Sequence, residues 1–174
     1  MKLFNLYFLS ADPGLLYGHF TRLTGRAAQP QERHPLLWSH TVRHGAVHWV
    51  IFRADAQAFA ALPFNKLAGQ ISEALGCGAF SLSNFEGDYL EMHLFSKGVR
   101  IDGLSVIEGE VERWLQNPLL FAPMAVTPAL LESVTPAVHL RPEAAILTIL
   151  HALGLQESWR EAADPGPVTP EVWF

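Results

Sequence analysis

The alternation of apolar and polar residues along the chain predicts a sheet whose strands are interrupted by helices. Apolar residues occupy both faces of the segment Leu3–Leu9, which is typical of a central strand. Asp12 followed by Pro13 favours a helix start, because aspartate caps a helix and proline lacks only an N–H that would be unpaired there. Gly25 is a natural end for this helix. The first unit of the fold is therefore a strand followed by a helix.

The segment Leu36–Ala54 contains two runs of β-branched and aromatic residues that meet at His44 and Gly45. Glycine adopts positive φ at little cost, so this dipeptide predicts the two-residue turn of a β-hairpin. In that register His40 lies opposite Trp49, and one face of the hairpin is apolar apart from His40. We expect the rest of the fold to be organised around this hairpin.

After the hairpin the pattern changes from strand to helix and back. Leucine and isoleucine recur at helical spacing over residues 65–75, and Gly76 is expected to end this helix. Strands are expected over Ala79–Phe85 and Tyr89–Phe95, and two shorter ones after them. The order up to Phe85 is β-α-β-β-α-β, which is the ferredoxin-like order, and a β-meander extends it. The sequence therefore predicts an α+β fold with an antiparallel sheet and helices on one face.

Acidic residues surround the strand Tyr89–Phe95. Within this strand aliphatic residues alternate with Glu91 and His93, which predicts one buried face and one solvated face. Glu86 and Asp88 lie in the preceding turn. A pair of catalytic carboxylates would need a cleft, so we interpret these acids as a solvated surface.

From residue 110 the pattern becomes helical. We predict a helix over Glu110–Gln116, a second one opened by Thr127 and Pro128, and a third over Pro142–Leu153, with a short helix around residues 157–163. The chain is accordingly divided into an α+β sheet domain (1–108), a helical extension packed on it (109–163) and a Pro-rich tail (164–174). The tail ends in Trp173 and Phe174, and so apolar an end is expected to dock on its own domain or on a second subunit.

Composition narrows the class of protein. The 174 residues are 49% hydrophobic, enough to form the core of one globular domain. The single cysteine excludes an intramolecular disulfide, which favours a reducing, cytoplasmic location. The N-terminal apolar run is interrupted by Asn5 and is interpreted as a strand, not a signal peptide. No apolar run approaches the roughly 18 residues that suggest a membrane span, so no membrane association is expected.

The net charge of −5 is unevenly distributed. The first 85 residues carry seven Lys or Arg against four acids, whereas the remainder carries five against thirteen. The two halves would complement each other within one fold or across a homodimer; alternatively, the acidic half would suit a basic partner and the basic half an acidic one.

Two patterns invite a catalytic or metal-binding interpretation. His40, His44 and His48 recur every fourth residue and would share one face of a helix, where they could hold a metal. On the predicted hairpin, however, His40 and His48 point to opposite faces, so we predict no metal and no cofactor. Cys77 follows a helix C-terminus, whose negative dipole end raises the pKa of the thiol, so we interpret it as a small buried residue.

The β-α-β-β-α-β order is also that of RNA-recognition motifs. The run Trp49-Val50-Ile51-Phe52 resembles the last four positions of the third-strand signature of that family, but Gly45 and Val47 depart from its first half. This resemblance implies single-stranded nucleic acid binding through Trp49 and Arg53, an alternative that we do not favour.

The function that the sequence favours is a non-catalytic protein-interaction domain of a small accessory or immunity-type protein. A bacterial source is suggested by nine Arg against three Lys, and the immunity-type role is an analogy from size, acidity and fold class. The expected partner is another protein or a second copy of the chain, and a hydrolase or metal enzyme using His40 and His48 is a further alternative. The candidate binding residues lie in the hairpin and at the C-terminus: Trp38, His40, His48, Trp49, Arg53, Trp173 and Phe174.

Overall fold

A computed structural model describes residues 1–10, 12–27, 37–45, 47–86, 88–134, 141–162 and 171–174 of the chain. For Val47 and Trp173 the description covers the backbone only. Residues 28–36, between the first helix and the hairpin, and residues 164–170 of the predicted Pro-rich tail lie outside these ranges.

The described residues form an antiparallel sheet of eight strands. The strands are β1 (Lys2–Leu9), β2 (Leu37–His44), β3 (Val47–Ala54), β4 (Gly78–Phe85), β5 (Tyr89–Ser96), β6 (Val99–Ile107), β7 (Glu110–Arg113) and the two-residue β8 (Val172–Trp173). Their spatial order is β7-β6-β5-β4-β1-β3-β2-β8. The predicted α+β class with an antiparallel sheet is therefore confirmed, and β1 lies near the middle of the sheet.

The described helices fall into two groups. The first lies between strands and the second follows β7: α1 (Pro13–Thr24), α2 (Ala56–Ala60), α3 (Phe64–Leu75), and then 3₁₀ helices Pro118–Met124 and Pro128–Ser133, α4 (Pro142–Ala152) and the 3₁₀ helix Gln156–Ser158. The predicted start of α1 is confirmed, since the Asp12 carboxylate accepts a hydrogen bond from the backbone N–H of Leu15. None of the helices in the described ranges has the length and apolarity needed to cross a membrane.

The sheet is the middle layer of three. On one face, here called the helix side, α1, α2 and α3 pack on a core that includes Phe8, Phe20 and Phe52. On the other face, the C-terminal side, residues 115–134 and 145–159 pack on a second core that includes Trp49 and Phe80. The central strands are thus covered on both faces, which explains why Leu3–Leu9 has apolar residues on both sides.

The hairpin forms as predicted, but its register differs from the predicted one. His44 pairs with Val47, so Gly45, with a φ of +58°, takes the first turn position and not the second. His40 therefore lies opposite Ile51 instead of Trp49. Because the shift preserves the alternation of faces, His40 still lies on the C-terminal side and His48 on the helix side.

The predicted helix over Glu110–Gln116 is wrong. Glu108 and Gly109 both adopt positive φ, +52° and +79°, which is the geometry of a tight turn between two strands. The chain therefore folds back on β6, and Glu110–Arg113 form the strand β7. The helical extension thus contributes a strand to the sheet. The helix predicted after Thr127 is a 3₁₀ helix.

The C-terminus returns to the sheet. The backbone of β8 pairs with Trp38 and Ser39 of β2, and the N–H of Phe174 donates to the Leu37 carbonyl at 3.0 Å. The Phe174 ring is 9% exposed and lies 4.9 Å from the Phe20 ring and 5.4 Å from the Phe52 ring, centre to centre. The apolar end of the chain is therefore part of the helix-side core.

We predict that Phe174→Ala lowers the free energy of unfolding by about 2 kcal/mol, because it removes a buried aromatic ring. Urea denaturation followed by tryptophan fluorescence measures the change. Leu119→Ala is the control, since Leu119 is 50% exposed and its loss should cost less than about 0.5 kcal/mol. Equal effects of the two substitutions would contradict the structural role of Phe174.

Candidate functional site

Four of the residues predicted to bind a partner lie on the C-terminal side of the hairpin. Trp38, Trp49 and Arg53 are 0% exposed and His40 is 2% exposed. A base could not stack on Trp49, so the RNA-recognition-motif alternative lacks its platform in this fold.

Two of these buried hairpin residues, Trp38 and Arg53, belong to a group that binds the chain's own C-terminal segment. The Arg53 guanidinium donates to the carbonyls of Arg160 and Glu161, and Trp38 Nε1 donates to the Ala162 carbonyl at 2.9 Å. From β1, Asn5 Nδ2 donates to the Ser158 carbonyl at 2.9 Å. Tyr7 Oη lies 2.9 Å from Ser158 Oγ. We call Asn5, Tyr7, Trp38 and Arg53 the polar clamp.

The remaining predicted residues lie elsewhere. His48 and Phe174 lie on the helix side of the sheet, and the backbone of Trp173 pairs with Trp38, while the Trp173 side chain lies outside the described part. The six predicted residues whose side chains are described are therefore divided between two faces and do not form one site.

The structure does not bring metal ligands together in the described part of the chain, and it leaves the one cysteine unreactive. Within the described ranges, no three His, Cys, Asp or Glu side chains are close enough to hold a metal ion. Burial raises the pKa of the Cys77 thiol to about 11, so the thiol is protonated at neutral pH.

A different site lies where the helices leave part of the sheet uncovered. A cleft of about 440 Å³ separates the connection between α2 and α3 from β5. Phe59 and Tyr89 contribute partly exposed rings, Phe64 lies behind them, and Glu91 supplies a carboxylate. We call this the Glu91 cleft. Its polar lining is completed by Asn65 and Lys66.

The Glu91 carboxylate is held by its neighbours on the strand. Tyr89 Oη donates to Glu91 Oε2 at 2.5 Å, and His93 Nε2 lies 3.3 Å from the same oxygen. The interactions with His93 and then with Tyr89 lower the pKa of Glu91 to about 2, although partial burial opposes them. Burial and the neighbouring carboxylate raise the pKa of Tyr89. Glu91 is therefore ionised throughout the physiological pH range.

His93 is not solvated as the alternation predicted. It is 5% exposed, whereas the side chain of Glu91 is 19% exposed. The missing side chain at Gly103, the residue opposite it on β6, makes room for the ring. A Cβ there would lie 2.7 Å from the Met92 carbonyl oxygen and 3.3 Å from His93 Nδ1. The glycine therefore allows the imidazole to approach the sheet and reach Glu91.

This arrangement suits binding better than proton transfer. A carboxyl with a pKa of about 2 is a weak base, and it is not protonated to act as an acid near pH 7. A fixed negative charge beside aromatic rings instead matches a cation, above all the planar guanidinium of arginine. The site was missed from the sequence because alternation identifies the strand face but not the helix connection that covers it.

No family model, curated protein or solved structure matches this chain.

We predict that Arg53→Met destabilises the protein by about 2–4 kcal/mol, because the carbonyls of Arg160 and Glu161 lose their donor. Urea denaturation monitored by circular dichroism gives the free energy. Arg43→Met is a matched control in the same hairpin, where the arginine is exposed and the expected change is within about 0.5 kcal/mol. A loss no larger than that of the control would refute the clamp.

We predict that His40 makes the protein sensitive to mild acid. Burial, and secondly the Arg53 charge, lower the pKa of His40 from 6.5 to about 4, so the folded state prefers the neutral imidazole. This contribution to stability is complete above pH 6.5 and is lost as the pH falls from 6.5 towards 4, by up to about 1.4 kcal/mol per pH unit.

Urea denaturation between pH 7.5 and 4.5 tests the His40 prediction. The free energy of unfolding should fall less steeply with acid in His40→Leu than in the wild type. The exposed histidine variant His151→Gln should keep the wild-type slope. Identical slopes in all three proteins would show that His40 is not responsible.

Proposed function

We propose that this protein is a non-catalytic protein-interaction domain whose Glu91 cleft binds an arginine side chain of a partner protein. The observation that carries the proposal is the partly exposed Glu91 carboxylate, which Tyr89 holds in place in an aromatic-walled cleft. An arginine would donate to the carboxylate while its planar group lies against the Tyr89 or Phe59 ring. Lys66 also lines the cleft, so its charge opposes a cationic ligand on that side of the cleft.

The shifted pKa values of three side chains favour a binding function over a catalytic one. Those of Cys77 and Tyr89 are raised and that of Glu91 is lowered. The raised values keep Cys77 and Tyr89 protonated at neutral pH, and the lowered value makes Glu91 a weak base, so none of the three suits general acid-base catalysis near pH 7. The His40 and His48 alternative has no support from the geometry, because these side chains lie on opposite faces of the sheet.

The topology of the sheet and the biological role of the protein are also matters of proposal. We propose that β1, α1, β2, β3, α3 and β4 form a ferredoxin-like unit, because the neighbour order β4-β1-β3-β2 with antiparallel pairing follows from that topology. The accessory or immunity-type role, the bacterial source and the homodimer stay predictions from composition and charge.

We predict that the protein binds N-acetyl-arginine methylamide and that Glu91→Gln weakens this binding about tenfold, since the substitution removes the charge and keeps the shape. Chemical-shift titration of the amide signals of β5 measures the affinity. N-acetyl-citrulline methylamide, which is uncharged and of similar shape, should bind as weakly to the wild type as arginine does to the variant.

Glu132→Gln is the protein control, because Glu132 is an exposed acid on a 3₁₀ helix away from the cleft. The proposal fails if Glu91→Gln binds the arginine compound as well as the wild type does. It also fails if the citrulline compound binds equally well. Once the arginine compound is shown to bind, a pull-down from native lysate with the wild type and with Glu91→Gln identifies the partner. The partner is a protein that the wild type captures and Glu91→Gln does not.

A further inference from the structure

The strand β7 ends the sheet on one side, and all four of its residues are exposed. No strand in the described part of the chain pairs with its outer edge. The outward N–H and C=O groups of such a strand can pair with another extended chain. β7 is therefore a place where a partner strand can be added.

A second cleft, of about 300 Å³, lies beside β7 on the C-terminal side of the sheet. Leu90 and Val106 form its buried floor, and Val111 of β7 is 49% exposed beside them. Charged residues surround this floor, namely Glu86, Asp88, Arg141 and Glu143. The apolar floor and the acidic rim together match the side chain of lysine or arginine. Its aliphatic stem would pack on the floor, and its charged end would reach the acids of the rim.

The charged residues along the β7 edge also favour a basic ligand. Glu110 and Glu112 lie on β7, Glu108 lies in the turn before it, and all three are exposed. Arg113 is the basic residue of the strand. Near the cleft, Lys2 Nζ lies 3.4 Å from a Glu86 oxygen, which neutralises one acid of the rim. Acids still outnumber bases around the edge, so the surface suits a basic segment.

A second copy of β7 fits this edge poorly. A two-fold axis perpendicular to the sheet joins two copies edge to edge, so the pairing is centred on one residue and the residues on either side of that centre lie opposite each other. The bulge at Glu112, where Val111 pairs with Val106 but Arg113 with Ser105, does not change which backbone positions are opposed. Centred on Val111, this symmetry places Glu110 opposite Glu112. Centred one residue later, it places Glu112 opposite its own copy. Like charges directly opposite each other destabilise a strand pair.

We propose that β7 binds an extended basic segment of a partner protein by strand addition, with a lysine or arginine side chain in the cleft beside Val111. The backbone of the segment pairs with β7, and its alternate side chains point to the two faces of the sheet. This surface is separate from the Glu91 cleft, which lies on the opposite face, so the inference stands without the proposed function.

The test uses the full chain and a synthetic hexapeptide of alternating Lys and Thr, carrying a fluorophore for anisotropy measurements. We expect saturable binding that weakens with salt, because the contacts are between exposed charges. A peptide with Glu in place of Lys should not bind. The Lys peptide with alternate backbone N-methyl groups keeps its charge and loses the N–H donors on one edge, so it should bind at least about fivefold more weakly.

Charge reversal locates the binding site. Glu112→Lys should weaken binding of the Lys peptide by about fivefold or more, and Asp88→Lys at the cleft rim should act in the same direction. Glu132→Lys, at an exposed acid away from the edge, should bind as the wild type does. Circular dichroism verifies that each variant is folded.

Three results would overturn the inference. The first is equal affinity for the N-methylated peptide, which would show attraction without strand addition. The second is wild-type affinity in both Glu112→Lys and Asp88→Lys. The third is a loss confined to Glu91→Gln, which would assign the peptide to the Glu91 cleft and support the proposed function instead.

Discussion

The fold depends on a buried arginine that binds backbone carbonyl groups. A guanidinium taken out of water is costly unless its donors find acceptors, and Arg53 is 0% exposed. The acceptors come from an irregular segment, whose carbonyls in turn need donors because no neighbouring strand supplies them. Arg53 and Trp38 satisfy the carbonyls of residues 160–162. Each side of the contact thus relieves the desolvation cost of the other, and the C-terminal segment is fixed on the sheet.

This fixed segment also limits which side chains of the sheet are accessible. With residues 115–134 and 145–159 on one face and the helices on the other, β1, β3 and β4 are enclosed. On the helix side, α3 covers β5, β6 and β7 only in part. Accessible polar side chains are therefore found on these three strands. Glu91 is there, and it keeps its charge because Tyr89 and His93 compensate for partial burial. A residue such as Trp49, prominent in the sequence, has a packing role instead.

The sequence predicted features that depend on neighbouring residues and missed those that depend on distant ones. The start of α1 was predictable because Asp12 acts within one helical turn, and the hairpin because Gly45 tolerates positive φ. The helix predicted from Glu110 failed because the turn that reverses the chain involves Glu108, a residue with no strong preference for positive φ. The polar clamp joins Arg53 to carbonyls more than a hundred positions away. No periodicity in a single sequence encodes such a pair.

The uneven charge of the chain has a structural consequence that composition alone does not reveal. Part of the basic charge in the first half is internal, since Arg53 binds carbonyl groups. The acids of the second half are different, because Glu108, Glu110 and Glu112 stand exposed around an open sheet edge. An edge that is apolar would pair with any strand, including its own copy. Placing glutamates there makes self-pairing repulsive and favours a basic strand, so under our inference the same residues supply attraction for one partner and discrimination against the others.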